Sequence, residues 1–361
     1  MRHLITLTTA IALGATSPAS AETTKPALAP VKSWAVPRHL AGEEKDDKVL
    51  PADDVSGIAC RPAAGGARTC LIVNDQNRFA QAVTLDAGKL VAGPTVDLIG
   101  EEPDKATLGT ELNPKEKPLC EKKDSFKDLD GEGVAYAAPY FYVVGSHGCS
   151  RKKDKFRLSS YILARIRVED GKAIKDGTVE TTYRLSDVLS STEAVKDYFS
   201  TSLSKNGLNV EGVAVIGDTL YAGLRGPSLG GMAYIVPAKI ADLFAPKHEK
   251  SPSQAAPIAL PLGEGVGIRD LAALDDGRLL VLSGPVADVD GAYDIYAVTP
   301  APGAKPVHLA TLARVEGQDS HGKAAVGKAE GLLVLTSKPL RVLVVFDGLV
   351  DGKPSEYDLS D

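Results

Sequence analysis

The sequence lacks several features that mark common functional classes. It has neither an H-E-x-x-H zinc motif nor a P-loop. None of its 4 cysteines forms a C-x-x-C pair, so neither a zinc knuckle nor a dithiol redox motif is indicated. Acidic residues outnumber basic ones by 47 to 41, for a net charge of −6, and no sustained basic stripe is present. We therefore do not expect nucleic acid as a partner.

The chain also lacks an apolar run long enough to predict a membrane span. Its first 21 residues instead have the form of a signal peptide. Arg2 and His3 give a basic start, Leu4–Ala15 is apolar but interrupted by Thr, and Ala19-Ser20-Ala21 is an A-x-A cleavage site. Cleavage near Ala21 predicts a periplasmic or secreted protein of one domain, residues 22–361, which we expect to be a monomer.

All 4 cysteines lie in the predicted mature chain, as expected for an oxidising compartment. Cys60 ends one apolar segment and Cys70 begins the next, so they could face each other across a hairpin. Cys120 and Cys149 would form the second pair. Other connectivities, and free buried thiols, remain alternatives.

A recurring hairpin is the main signal in the sequence. Each copy starts with a polar residue and a short apolar strand, followed by a turn and a second apolar strand. The first strands are Ser56–Cys60, Glu132–Tyr136, Glu211–Val215, Arg269–Ala273 and Glu330–Val334. Further strand-like segments follow each hairpin and bring most units to four strands, which is the content of a propeller blade.

We therefore predict an all-β chain folded as a β-propeller of five four-stranded blades, with six blades as the alternative. A β-sandwich would not reuse one hairpin at such even intervals. The last unit is short, and Ser33–Pro37 could supply its missing strand and close the ring. Helices are predicted only at Ser190–Ser200 and Ala238–Phe244.

Strand direction places the open ends of all five hairpins and the longest loops on one face, where function usually resides. Symmetric pairing about each turn predicts which polar residues meet there, with a possible slip of one residue. The predicted groups are Ser56 with Asn74 and Asp75, Glu132 with His147, Glu211 with Arg225, Arg269 and Asp270 with Ser283, and Glu330 with Asp347.

Three interpretations of this charged mouth compete. The ion pairs could simply tie the inner strands together. Glu132, Glu211 and Glu330 could instead supply oxygen ligands to a divalent cation such as calcium, with Asp128 and Asp130 nearby.

The third interpretation is an anion or phosphoester site. Arg225 and Arg269 would clamp the anion, and His147 and Glu132 would serve in catalysis. The neighbouring basic run, Arg151–Lys155, is predicted to be a solvated loop.

The assembled segments resemble the DUF3616 family of bacterial proteins. The segments are Asp130-Gly-Glu-Gly-Val-Ala, Gly145-Ser-His-Gly, Leu208-Asn-Val-Glu-Gly-Val-Ala, Gly223-Leu-Arg-Gly-Pro, Gly267-Ile-Arg-Asp and Leu282-Ser-Gly-Pro. The resemblance implies a propeller-like fold and assigns no activity. The Glu-Gly-Val-Ala strands are also similar to secreted phytase-like propellers, which implies a calcium-dependent phosphoesterase, but the dense acidic clusters of that family are missing here.

The favoured hypothesis is an exported propeller that binds a small anionic or cation-bridged ligand at its loop-rich mouth. One alternative is a metal-dependent hydrolase of phosphoesters or esters, with calcium as its cofactor. The other is a periplasmic scaffold that binds a protein or an envelope polymer.

Overall fold

The chain folds into five four-stranded antiparallel sheets, which form the five blades of a β-propeller. A computed structural model describes residues 26–360 except 46–47, 63–65, 114–119, 121, 124, 151–153, 170–171, 200, 247–248 and 251–255. The predicted signal peptide lies outside the described residues. From the innermost strand outwards, the blades are Val55–Cys60, Arg68–Asn74, Phe79–Asp86 and Lys89–Asp97 (blade 1); Gly131–Ala137, Tyr140–Gly145, Leu163–Arg167 and Thr178–Thr182 (blade 2); Asn209–Ile216, Thr219–Gly226, Met232–Lys239 and Ile258–Pro261 (blade 3); Val266–Ala273, Leu279–Pro285, Asp294–Val298 and Val307–Thr311 (blade 4); and Lys328–Ser337, Leu340–Asp347, Ser355–Asp358 and Lys32–Ser33 (blade 5).

The inner strands pack side by side in chain order, and the inner strand of blade 5 returns to that of blade 1. Blade 5 takes its outermost strand from the N-terminal part of the chain, where Lys32 pairs with Glu356 and Ser33 with Ser355. This pairing joins the two ends of the described chain. The prediction of five blades, each begun by one of the recurring hairpins, is confirmed.

Short elements complete the fold. The α-helices are Arg184–Ser191 and Ile240–Leu243, and the 3-10 turns are Leu158–Tyr161, Ile174–Asp176, Lys196–Tyr198, Leu203–Lys205 and Val350–Gly352. Two-stranded ribbons pair Ala41–Lys45 with Lys48–Pro51, Lys122–Lys123 with Lys155–Phe156, and Glu316–Gln318 with Ala324–Val326. The first helix begins and ends earlier than predicted, since its buried face is supplied by Leu185, Val188 and Leu189. No helix among the described residues is long and apolar enough to cross a membrane.

Each inner strand contains a β-bulge at the same position, near the mouth end of the strand. The residues left without a partner in the inner hairpin are Ser56, Glu132, Glu211, Arg269 and Glu330. These are the residues that open the five sequence repeats. The bulges shift the predicted pairing. Asn74 lies opposite Val55 and Ser283 opposite Ile268, each within the expected slip of one residue, whereas Asp347 lies opposite Lys328, two residues from the predicted Glu330. A bulge turns a side chain out of the regular alternation, and such bulges recur next to binding sites.

The residue after each bulge lies where neighbouring inner strands approach most closely. A Cβ atom on Gly133 would lie 2.8 Å from the backbone oxygen of Glu211, and one on Gly212 would lie 2.7 Å from the Cα of Asp270. Glycine is therefore required for this packing. Blade 4 has Asp270 at the equivalent position, and its fully buried carboxylate accepts N–H bonds from Leu332 at 2.7 Å and from Leu271 at 2.8 Å.

Both predicted disulfides are present. Cys60 and Cys70 are joined across the first hairpin, and Cys120 is joined to Cys149. The second disulfide attaches the segment before blade 2 to the loop that follows its second strand, beside the mouth.

Candidate functional site

A buried ion-pair network lies at the mouth of the central channel. Glu211 is its centre: Oε1 accepts a hydrogen bond from Arg225 Nη1 at 2.8 Å, and Oε2 lies 3.3 Å from Arg269 Nε. Arg269 also pairs through Nη2 with Glu330 Oε1. The two guanidinium side chains are only 3% and 1% exposed. The network therefore links the inner hairpins of blades 3, 4 and 5 in an environment where charges are poorly screened.

Three carboxylates converge on this network. Glu132, Glu211 and Glu330 each offer an oxygen, and these oxygens lie within 4.8 Å of one another. Calcium binds oxygen ligands at about 2.3–2.6 Å, so two ligands on opposite sides of one ion are separated by about 5 Å. The spacing of the three glutamates is thus compatible with one shared cation.

Burial and ion pairing act in opposite directions on the two arginines. Burial lowers the pKa of Arg225, but the attraction of Glu211 outweighs it and leaves that pKa raised. Burial dominates at Arg269 and lowers its pKa, with Glu211 opposing the change. Three carboxylates face two guanidiniums, so the cluster retains one excess negative charge when every group is ionised.

A cavity of about 360 Å³ opens above the network between blades 2 and 3. Glu132, Glu211 and Arg225 line it from the channel side, and Lys127, Lys155 and Arg157 line it from the loops. Arg157 is paired with Asp128. The cavity thus has a floor rich in carboxylates beneath a basic wall, an arrangement that can hold a cation below an anion.

A polar pair projects into the same cavity from the start of blade 2. The Ser146 hydroxyl donates to the Asp130 carboxylate, and both residues line the cavity. Asp130 has a φ of 54° and His147 a φ of 51°, which is uncommon for residues other than glycine. Backbone strain of this kind is concentrated at binding and active sites.

Comparison with known families identifies the chain's relatives. The family model described as "Protein of unknown function (DUF3616)" matches residues 111–172 and 157–356. The chain belongs to the DUF3616 family. The match spans blades 2 to 5, including every charged residue of the buried network, and leaves blade 1 outside. No curated protein matches the chain.

Solved structures resemble this DUF3616 protein in fold only. They include hydrazine synthase of Kuenenia stuttgartiensis (11% identity, 84% of this chain, 64% of that chain, TM-score 0.35). A putative glycoside hydrolase of Bacteroides ovatus matches at 14% identity over 94% of this chain and 97% of its own, with a TM-score of 0.41. The calcium-binding protein regucalcin of Agrobacterium tumefaciens matches at 11% identity over 87% and 88% of the two chains, with a TM-score of 0.33. At these scores the likenesses carry no inference about ligand or activity.

The remaining predicted site residues of the DUF3616 protein have different positions. Asp75 lines the mouth cavity. Asn74 does not line it, because its amide donates to the Ala41 carbonyl at 3.0 Å and holds the N-terminal ribbon against blade 1. Asp270 lies behind the bulge ring, where burial raises its pKa and backbone N–H donors, including that of Val213, oppose the rise.

His147 lies outside the cavity, although it was expected to face Glu132. Its ring is completely buried against Tyr161, with the ring centroids 6.0 Å apart. Nδ1 donates to the Gly145 carbonyl at 2.7 Å, and Nε2 has no hydrogen-bond partner within the described part of the chain. Burial lowers the pKa of His147 to about 4, so the ring is neutral near pH 7. The neighbouring residue, Ser146, lines the cavity in place of His147.

We expect His147 to make folding stability depend on pH. The unfolded chain takes up a proton near pH 6.5 and the folded protein only near pH 4, so stability is lost as pH falls through this window. The full effect is about 3 kcal/mol. His147→Asn keeps a residue that tolerates the left-handed backbone but cannot titrate.

Urea unfolding at pH 7 and at pH 4 measures this difference. The wild-type protein should lose more stability on acidification than His147→Asn, whereas His321→Asn, at an exposed position, should behave like the wild type. Equal losses in wild type and His147→Asn would show that the buried ring accepts a proton readily.

Several residues that line the cavity were not predicted from the sequence, including three of its basic side chains. Lys127, Arg157 and Asn209 gave no recognisable pattern, and Lys155 was assigned to a solvated run although it is half-buried in the cavity wall. Gly226–Gly230 has the G-x-S-x-G form of a nucleophile elbow. However, it connects two strands of blade 3 rather than a strand to a helix, so it lacks the context of that motif.

Proposed function

We propose that this DUF3616 protein binds a small anionic ligand in the mouth cavity, through a divalent cation held by Glu132, Glu211 and Glu330. The supporting observation is the convergence of the three carboxylate oxygens within 4.8 Å, with Glu132 and Glu211 lining the floor of the cavity and Glu330 beside them. When every group is ionised, the cluster carries one excess negative charge, which attracts a cation. Arg225 and Arg269 hold Glu211 in place, so little side-chain freedom is lost on binding.

The wall of the cavity favours an anion above that cation. Lys127, Lys155 and Arg157 approach from the loops of blade 2, opposite the carboxylate floor. A phosphate or carboxylate group in the cavity would be attracted by the cation on one side and by these side chains on the other. We also propose export to the periplasm or the medium, for which the two disulfides are suitable.

Calcium and ethyl phosphate are suitable probes for isothermal titration calorimetry. We expect calcium to bind the metal-free mature protein, and ethyl phosphate to bind tightly only when calcium is present. Glu132→Gln should weaken calcium binding by about 10-fold or more, because one anionic ligand is lost while the Arg225–Glu211–Arg269 network is kept. Lys127→Ala should weaken ethyl phosphate binding by roughly 2- to 5-fold and leave calcium binding unchanged.

Glu193→Gln is the matched control, since this carboxylate is 86% exposed and forms a surface ion pair with Lys196. It should bind both probes like the wild type. Absence of calcium binding and of ethyl phosphate binding in the wild type would overturn the proposal.

A second candidate function is metal-dependent hydrolysis of a phosphoester in the same cavity. It is favoured by the hydrogen bond from Ser146 to Asp130. Asp130 would accept the hydroxyl proton while the serine oxygen attacks phosphorus, and would pass that proton to the alkoxide as the ester P–O bond breaks. Water would then attack phosphorus and break the serine O–P bond, giving free phosphate and the serine hydroxyl again. Calcium-dependent release of nitrophenol from nitrophenyl phosphate, abolished by Ser146→Ala, would favour this function. Binding without turnover would leave a binding protein.

A further inference from the structure

We propose that the ligand of the mouth carries an ammonium group in addition to its anionic group, and that a second lobe of the mouth binds it. This inference rests on the proposed function, because the anionic group is placed in the cavity above the glutamates. It adds the chemical class of the ligand: a bipolar molecule with its two charges at a distance set by the two lobes.

The second lobe is a cavity of about 540 Å³ beside the first. The two cavities share Asp75 and Leu203 in their walls, so they lie close enough together for one molecule to reach both. Val286 and Val289 give the second lobe an apolar wall that suits the methylene groups between two charged ends.

The two lobes differ in charge. The first has Lys127, Lys155 and Arg157 along its loop side. The second is lined by four carboxylates against a single ammonium group: Asp54, Asp75, Asp288 and Asp347, with Lys328. Lys328 pairs with Asp288 at 2.7 Å and with Asp347 at 3.3 Å. Carboxylates outnumber the ammonium group in this lining by four to one, so the lobe attracts a cationic group.

The carboxylates of the second lobe are crowded. Burial, and then the charges of Asp347 and Asp53, raise the pKa of Asp54 to about 8. The Asp54 carboxyl group therefore keeps its proton at neutral pH. An ammonium group of the ligand beside Asp54 could replace that proton as the positive charge.

An independent observation indicates that the joined cavity holds a ligand. Asn209 lines the first lobe, and its side-chain Oδ1 is buried without a hydrogen-bond partner among the described residues. The residue is only 8% exposed, so water does not readily satisfy this amide. A hydrogen-bond donor on the ligand would satisfy the Asn209 side-chain oxygen.

Matched phosphate esters test the inference. We would measure binding of ethyl phosphate, hexyl phosphate, aminoethyl phosphate and aminohexyl phosphate to the mature protein at one fixed calcium concentration, by isothermal titration calorimetry. At least one aminoalkyl phosphate should bind about 10-fold more tightly than the alkyl phosphate of the same length, which corresponds to about 1.4 kcal/mol. The better chain length reports the separation of the lobes.

Variants of the second lobe should remove only the tighter binding of the aminoalkyl phosphate relative to the alkyl phosphate of the same length. Asp347→Asn is expected to reduce it to less than about 2-fold while ethyl phosphate binds as before. Asp288→Asn, whose carboxylate lines the second lobe but not the first, provides a second test if Asp347→Asn folds poorly. Asp290→Asn is the matched control, because this carboxylate is 86% exposed and does not line the second lobe.

The outcomes separate this inference from the proposed function. If ethyl phosphate binds but neither amine improves on its alkyl counterpart, the ammonium lobe is overturned and the proposed function stands. If the advantage persists in both aspartate variants, the assigned lobe is wrong. If none of the four esters binds, both proposals fail.

Discussion

Replacing Glu211 by alanine should lower the free energy of unfolding by about 3–5 kcal/mol. The carboxylate is the shared partner of Arg225 and Arg269, and all three side chains are at most 4% exposed. Without it, Arg225 loses the carboxylate to which it donates a hydrogen bond, and Arg269 is left with Glu330 as its ion-pair partner. An uncompensated charge in a buried site costs more than the original pair contributed. Urea denaturation of the mature protein measures the loss.

Two further variants show whether the loss arises from buried charge. Adding Arg225→Met to Glu211→Ala should recover part of the stability, because one unpaired guanidinium is removed. Glu193→Ala, which breaks an exposed pair with Lys196, should change stability by less than about 0.5 kcal/mol. A loss below about 1 kcal/mol for Glu211→Ala would mean that water screens the network.

Asp270→Ala should have an effect of comparable size, about 3–5 kcal/mol, for a different reason. This carboxylate satisfies backbone N–H groups of Leu332, Leu271 and Val213, which belong to the inner strands of blades 5, 4 and 3. Alanine leaves these donors buried without acceptors. Asparagine keeps the shape but turns an NH₂ donor towards an N–H group, so we expect a loss of about 2–3 kcal/mol for Asp270→Asn.

Urea unfolding measures the free energy of unfolding of both Asp270 variants, and Asp276→Asn is the control variant. Asp276 lies in a turn at the opposite end of the blade 4 hairpin, is 54% exposed and pairs with Arg278, so its variant should stay within about 0.5 kcal/mol of wild type. If Asp270→Ala matches Asp276→Asn, the three inner strands do not depend on this carboxylate.

The propeller could be predicted from the sequence because its signal is local. Each hairpin is specified by a polar first residue, two apolar strands and a turn between them, and five such units followed by further strands fit only a few folds. The cysteine pairs were predictable for a similar reason: Cys60 and Cys70 lie opposite each other in a single hairpin. The convergence of Glu132, Glu211 and Glu330 follows from the repeat itself, since equivalent positions of radially arranged strands lie around one axis.

Pairing within a hairpin predicted the Glu211–Arg225 ion pair, but the partners of Arg269 and Glu330 could not be predicted in this way. Pairing within a hairpin placed Arg269 opposite Ser283, but the bulge frees Arg269 to pair with Glu211 and Glu330 of the neighbouring blades. Contacts between blades join segments far apart in the chain and leave no periodic trace. The left-handed backbone at His147 likewise turns its ring into the core and leaves Ser146 in the cavity.

The sequence by itself determined the strands, the number of blades and the ring of polar residues at the mouth, because short-range patterns of apolar residues, turns and cysteines encode them. Only the tertiary structure decided which charges pair between blades and which side chains reach the cavity. Those features depend on bulges and on close packing between blades, where a shift of one residue redirects a side chain from solvent to core.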